Sequence, residues 1–264
     1  MSKSNPIWSY KDYIPHILMD YVSLARARIK YLKLIKILLI NKKYKNKYKN
    51  KTVYVVGNGP SLNGIDLKIL YENHIITMNN FHLSELSNSL TPVAHCAGEP
   101  PCSSAWSDPS KMIHGIKSST YWFNASAYGH LPDLDKDKNV NYILGGIAPR
   151  IWSGREVDLG AVTLNYQTTA IMAIEVAIYM GFNKIKLIGF DHDWLANPDY
   201  SRHFYSDKKS NDDTLGELEY RVVLDFVAKM WDSYYALLDT SRKYDISIVN
   251  ETENSFLDVF KKNN

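Results

Sequence analysis

The chain has 264 residues, of which 45% are apolar and 22% charged, a balance typical of a folded protein and one that excludes global disorder. Two cysteines, Cys96 and Cys102, are too few for a disulfide framework or a cysteine-based zinc site, and no uncharged apolar run is long enough to span a bilayer. The length suits one large α/β domain with a small appendage, and without a recognisable secretory leader the expected location is the cytoplasm.

The net charge of +3 is unevenly spread: after Asp20 no acidic residue occurs until Asp66, while Lys and Arg recur through the interval. From Tyr13 to Ile40, the residues Leu18, Val22, Ala25, Ile29, Leu32, Ile35 and Leu39 recur at spacings of three and four, among Arg26, Arg28, Lys30, Lys33 and Lys36. This pattern predicts a basic amphipathic helix. Asn41 to Lys51 (NKKYKNKYKNK) reads as a solvated basic linker. Two readings are open for the helix: a peripheral anchor on an anionic membrane surface through residues 13–51, or a helix that packs on the domain or on a second copy in a homo-oligomer. Nucleic acid is not an expected partner, because no nucleic-acid-binding motif accompanies the charge. Residues 1–51 are thereby set apart from a nucleotide-binding catalytic domain over 52–264.

That domain opens with a buried-type strand, Val53 to Val56, which ends in GNGPSL (Gly57 to Leu62) and leads to a helical pattern at Ile65, Leu67, Ile69 and Leu70. Strand, glycine turn and helix form the first unit of a Rossmann-like fold. Gly57 and Gly59 permit a tight turn and close backbone approach. Pro60 suits a first helical position, and the helix start, with Ser61, offers donors to a phosphate. The motif is neither GxGxxG nor a Walker loop, so a plain strand-to-helix turn stays a competing reading. His74 to Met78 is the second strand and delivers Asn79 and Asn80 to its end, where amides can read a base or ribose without adding charge, or simply cap a turn. Pro92 to Ala97 and Thr120 to Phe123 are further strands, and the loop from Glu99 to Ser110 could border the site.

Asn165 to Gly181 is apolar nearly all round and reads as a buried helix, capped by Thr168 or Thr169, with Gln167 and Thr168 at an end that could face an anion. Next comes IKLIGFDHDWLANPDYSRHFY (Ile185 to Tyr205), an apolar strand that breaks at Gly189 and sets Asp191, His192, Asp193 and His203 in a polar loop. In an open parallel sheet, ligands sit at the carboxyl ends of strands, so this is where chemistry is expected. Three readings compete for the cluster: metal ligands, a histidine general base oriented by a carboxylate, or residues that satisfy the loop backbone. Beyond it, Leu218 to Tyr244 reads as a long aromatic-rich helix, Ile246 to Val249 as a last strand, and NSFLDVF as a segment that tucks Leu257 and Phe260 into the domain.

VYVVGNGPSL, TMNNF, AIMAIEVAIYMGFNKIKLIGFD, the His203-Phe204 pair and ENSFLDVF resemble, in order, motifs of the small bacterial sialyltransferases. They also resemble the related hydroxymethylpterin diphosphokinase-like superfamily of polysaccharide gene clusters. The resemblance runs from Thr52 to Phe260 and is poor between Pro92 and Asn165. It implies an α/β fold, a Rossmann-like, mostly parallel sheet with helices on both faces, preceded here by the N-terminal basic amphipathic helix. It further implies a nucleotide-activated sugar donor bound without a metal or other cofactor, a CMP-linked acidic sugar being the leading candidate. The acceptor would be a surface glycan or a lipid-linked glycan. By the same resemblance Asn58 and Asn79 would hold the nucleotide, His203 would take the proton of the acceptor hydroxyl with inversion, and Tyr200 or Tyr205 would assist the leaving phosphate. Gln167 or Thr168 would match a small polar residue of the family, and Gly189 and Asp191 would border the pocket. His192 has no counterpart there. The alternatives are a Mg²⁺- and ATP-dependent diphosphokinase acting on a hydroxymethyl group, and a non-catalytic nucleotide-binding module.

Overall fold

In a computed structural model, which describes residues 16–100, 109–130, 133–193, 195–196, 204 and 219–262, nine strands join in one sheet. They are β1 (Thr52–Val56), β2 (His74–Met78), β3 (Ala94–Ala97), β4 (Tyr121–Asn124), β5 (Val140–Ile147), β6 (Val162–Leu164), β7 (Lys184–Ile188), β8 (Ser247–Asn250) and β9 (Lys261–Lys262). Their order across the sheet is β6-β5-β4-β3-β2-β1-β7-β8-β9, and every pairing is parallel. The chain lays β1 to β6 outward in one direction, then returns to the other side of β1 to start β7. That reversal opens a crevice between the ends of β1 and β7, which is where such sheets bind ligands.

The helices are α1 (His16–Leu39), α2 (Lys68–Glu72), α3 (Pro109–Gly115), α4 (Pro149–Trp152), α5 (Thr169–Tyr179) and α6 (Tyr220–Lys243). They cover both faces of the sheet, as the alternation along β1 requires: Val53 and Val55 join one core with α5 and α6, while Tyr54 and Val56 join another with Leu70 of α2 and Met112 of α3. Helix α5 carries the return to β7. It packs on β1, β2 and β3 and is buried nearly all round, as its composition predicts. The continuous helix expected through Leu70 is instead a 3₁₀ turn over Pro60–Gly64 followed by the short α2. Strands β5 and β6 were not among the expected elements. The first carries a Gly145-Gly146 pair and the second is only three residues long, so neither advertises itself by pattern.

The N-terminal segment departs most from expectation. The tract from Asn41 to Lys51 is not a solvated linker. Asn41 is fully buried, and its Nδ2 donates to the carbonyls of Tyr142 at 2.8 Å and Leu159 at 2.6 Å, closing the part of β5 that β6 does not reach. The backbone amides of Asn46, Tyr48 and Asn50 donate to the carbonyls of Tyr179, Met180 and Gly181, which the end of α5 leaves over. Tyr44 meets Trp122 edge-on at 5.4 Å and Tyr48 stacks on Phe182 at 4.8 Å. Asparagine tolerates the left-handed backbone that Asn46 (φ 59°) and Asn50 (φ 62°) adopt, tyrosine supplies apolar area, and the lysines between them point outward. Helix α1 packs on β5 through Leu24, Ala27 and Leu38, and Gly146 is what lets it approach: a Cβ there would lie 2.5 Å from that of Ala27.

Candidate active site at the strand crossover

The glycine turn after β1 is fastened to the end of β7 by four hydrogen bonds. Gly57 N–H donates to the Ile188 carbonyl at 2.8 Å and Gly59 N–H to the Gly189 carbonyl at 3.0 Å. Ser61 donates twice to Asp191, from its backbone amide to Oδ1 at 3.0 Å and from its hydroxyl to Oδ2 at 2.8 Å. Both motifs found in the sequence are thereby one structure, and Asp191 is the clasp. Burial raises the Asp191 pKa and the two Ser61 bonds oppose that rise. With both oxygens engaged, the carboxylate holds the turn, a role its place in the sequence did not reveal.

The clasp shapes a cavity of about 190 Å³ lined by Gly57, Asn58, Gly59, Asn79, Thr168, Gly189, Asp191 and His192, together with Met78, Ala170, Phe190 and Asp193. Asn58 Nδ2 donates to the Met78 carbonyl at 3.1 Å, which turns the side chain toward β2. Its Oδ1 and the Oδ1 of Asn79 are both buried and unpartnered. Two such acceptors at one cavity are matched to a ligand that donates hydrogen bonds, such as an exocyclic amine or ribose hydroxyls. Thr168 caps α5, accepting from Ala170 N–H at 3.1 Å, so the helix start faces the same space. None of the described lining residues is a lysine or arginine, so among them the attraction for an anion comes from the helix end.

The other expected residues fall as follows. Pro60 is the first residue of the 3₁₀ turn. Asn80 is buried at 5% exposure and does not line the cavity. Gln167 lines a neighbouring cleft. His203, Tyr200 and Tyr205 lie outside the described residues, whereas Phe204 is described: its N–H donates to the Asn58 carbonyl at 2.9 Å and its ring lies 5.5 Å from that of Phe81. Among the described residues no three His, Cys, Asp or Glu side chains converge to hold a metal ion.

His192 sits in the left-handed region at φ 52°, with Nε2 hydrogen-bonded to the Tyr234 hydroxyl at 2.9 Å and its ring against Phe190, Trp231 and Tyr234. Burial pushes its pKa down to about 4, so the imidazole is neutral at physiological pH. Asn79 is also left-handed at φ 47°. Left-handed residues other than glycine on both sides of the cavity mark backbone held by its surroundings. Behind Asn79, His82 and His95 interact with its backbone, and Thr77 Oγ1 lies 2.9 Å from His95 Nδ1. His95 is an uncharged imidazole, its pKa held down to about 3 by burial.

The end of β7 is braced from beneath by the last segment of the chain. The Phe190 amide donates to Thr252 Oγ1 at 3.0 Å, Ser255 Oγ to the Phe190 carbonyl at 2.6 Å, and the Phe256 amide to the Asp191 carbonyl at 2.8 Å. Leu257 and Phe260 are buried as expected.

Two larger clefts continue along the same rim of the sheet. One of about 530 Å³ includes Asn165, Gln167, Arg221, Lys229 and Ser23, and the other, of about 480 Å³, includes Asn124, Ser126, Asn165, Arg26 and Lys30. The smaller cavity is the one that lies at the crossover, carries the unpartnered amides and is held by the two motifs. The larger clefts are lined by Asn165 and, in the first, Gln167, chain neighbours of Thr168, and the first cleft sets Asp20, Asp225 and Asp232 beside its cations.

No protein-family model matches the chain, and no curated protein matches it. Among solved structures it is similar to the sialyltransferase CstII from Campylobacter jejuni in complex with a substrate analogue, CMP-3FNeuAc. That match has 17% identity and a TM-score of 0.50, and covers 80% of this chain and 86% of that one. The fold is shared with that sialyltransferase. The chain also aligns with the MAf glycosyltransferase from Magnetospirillum magneticum AMB-1, at 15% identity and TM-score 0.48, over 88% of this chain and 38% of that one.

Proposed function

We propose that the protein is a glycosyltransferase that takes a sugar from a nucleoside monophosphate donor, of the CMP-linked acidic type, and transfers it to a glycan acceptor. The observation that carries the reading is the pair of unpartnered amide oxygens, Asn58 Oδ1 and Asn79 Oδ1, at the crossover cavity of a fold shared with a sialyltransferase. They accept from donors on the base or ribose, while the start of α5 receives the phosphate. Among the described residues no lysine or arginine lines the cavity, which suits the phosphodiester and carboxylate of a CMP-linked acidic sugar better than the larger charge of a triphosphate.

In this reaction the acceptor hydroxyl attacks the anomeric carbon, the bond from that carbon to the phosphate oxygen breaks, and the nucleoside monophosphate leaves. The hydroxyl proton passes to His203, which precedes Phe204, the residue anchored to the Asn58 carbonyl. His192 is a poor base with its pKa near 4, and its part is to hold the end of β7 against α6. Thr168, at the α5 start, faces the departing phosphate.

Calorimetry with a panel of nucleotides tests the reading. A cytidine monophosphate should bind, and Asn58→Ala should weaken it by about tenfold, the loss of one or two hydrogen bonds. Binding of no nucleotide would overturn the proposal. His203→Ala should lower kcat by roughly a hundredfold or more with little change in nucleotide affinity, and a rate equal to wild type would remove the base assignment. Release of AMP from ATP with loss of activity on chelation would instead identify a diphosphokinase.

A further inference from the structure

Helix α1 carries two apolar faces, and the domain covers only one. Leu24, Ala27 and Leu38 are buried on the sheet, with Tyr31, Leu34 and Ile37 packed beside them. The other face holds Leu18, Val22, Ala25, Ile29, Leu32 and Leu39, spaced by four, three, four, three and seven, and it is open: Leu18 is 54% exposed, Ile29 61% and Leu32 72%. With Ile35, this is the apolar row read from the sequence, which left open what surface covers it. Arg28 and Lys33 flank it on opposite sides and Lys36 lies within it, all three exposed. From Tyr21 to Lys51 the chain has eleven lysines and arginines and no acidic residue.

We infer that this face of α1 docks on an anionic lipid bilayer. A contiguous apolar stripe on an ordered helix calls for a covering surface, and charge decides which. A second copy of α1 would bring cations against cations with no acidic partner along the stripe, whereas an anionic headgroup layer complements every one of them. The helix lies on the bilayer, since no helix among the described residues is long and apolar enough to cross it. The side of α1 away from the stripe supplies Ser23, Arg26, Ala27 and Lys30 to the rim cleft that runs toward the nucleotide site. Docking therefore holds that cleft about one helix diameter from the lipid surface. Resting on the proposed function, it implies a lipid-linked acceptor that reaches the site without leaving the membrane.

Co-sedimentation of the full chain with vesicles of phosphatidylcholine alone, or of phosphatidylcholine mixed with phosphatidylglycerol, tests this. Binding is expected only to the mixed vesicles, weakening as salt rises, and Ile29→Glu with Leu32→Glu should reduce the bound fraction roughly tenfold or more. Both side chains are exposed, so the variant should keep its far-UV circular dichroism and its cytidine nucleotide affinity. Wild-type protein that ignores anionic vesicles, or a variant that binds them equally, overturns the inference. So does sedimentation velocity revealing a dimer that the variant abolishes, which would make a second copy the occupant. Because vesicle binding is read without nucleotide, it can fail while the nucleotide test succeeds, and the reverse.

Discussion

Gly59→Ala is expected to abolish nucleotide binding and to lower stability by about 3 kcal/mol or more. A Cβ on Gly59 would lie 1.8 Å from Asp191 Oδ2 and 2.8 Å from the Gly189 carbonyl oxygen. The first is pinned by Ser61 and the second accepts the N–H of Gly59 itself, so neither can retreat unless the clasp opens. The backbone at this residue, φ −68° and ψ 156°, is open to any amino acid. Crowding, not strain, sets the requirement for glycine. Adding Asp191→Ala removes the nearer obstacle, so the double variant should recover part of the stability that the single variant loses, a coupling measurable by urea unfolding. A stable Gly59→Ala protein with wild-type nucleotide affinity would mean that the turn is not clasped in this way.

The pH dependence of stability should be governed by a carboxyl group far from solvent. Glu175, in the middle of α5, is fully buried, with Oε1 accepting from the Thr163 hydroxyl and from the Leu164 amide at 3.3 Å. Its Oε2 has no partner. Burial raises its pKa to about 8, so it is held as the neutral acid. In the unfolded chain it ionises near 4.3. Between those values the unfolded chain has lost a proton that the folded one keeps, so this residue's contribution to stability falls as pH rises, and levels off above about 8. The full loss is on the order of 5 kcal/mol. His95 and His192 act in the opposite sense. Their folded values, about 3 and about 4, lie below the unfolded value near 6.5, so their contribution falls as pH drops through that window. Wild-type stability should therefore peak near neutral pH and decline toward about 8. Glu175→Gln keeps the acceptor for Thr163 and Leu164 and removes the ionisation. Its Tm should stay flat over the upper range and exceed wild type at alkaline pH. Parallel declines in the two proteins would show that Glu175 is not the titrating group.

The parts of the protein that were legible from sequence are those in which one short segment contains both the pattern and its cause. Val53 to Val56 with its glycine turn, the buried helix before Gly181 and the strand that ends at Gly189 all stand where their residues place them. What stayed hidden depends on segments distant in the chain. Ser61 and Asp191 are 130 residues apart, and nothing in either segment announces that a serine will occupy both oxygens of that carboxylate. Helix α1 stands where its periodicity places it, but which surface each face meets was not legible. Apolar residues recur along two of its faces, and periodicity identifies a stripe without saying which surface meets it. The Asn41 to Lys51 tract was misread because its lysines dominate the composition while its asparagines and tyrosines make the contacts.

The buried side chain of Asn41 bears on what a neighbouring chain can reach at this part of the sheet. Strand β6 is short, and the stretch of β5 beyond it would otherwise present carbonyls to any passing extended chain. By bonding Tyr142, Asn41 plugs that opening with an amide that cannot propagate a ladder. Asn41 and the tract that follows it are thus a stopper for the sheet. Cutting the chain at Thr52 would uncork the sheet and favour strand-by-strand stacking of one molecule on the next.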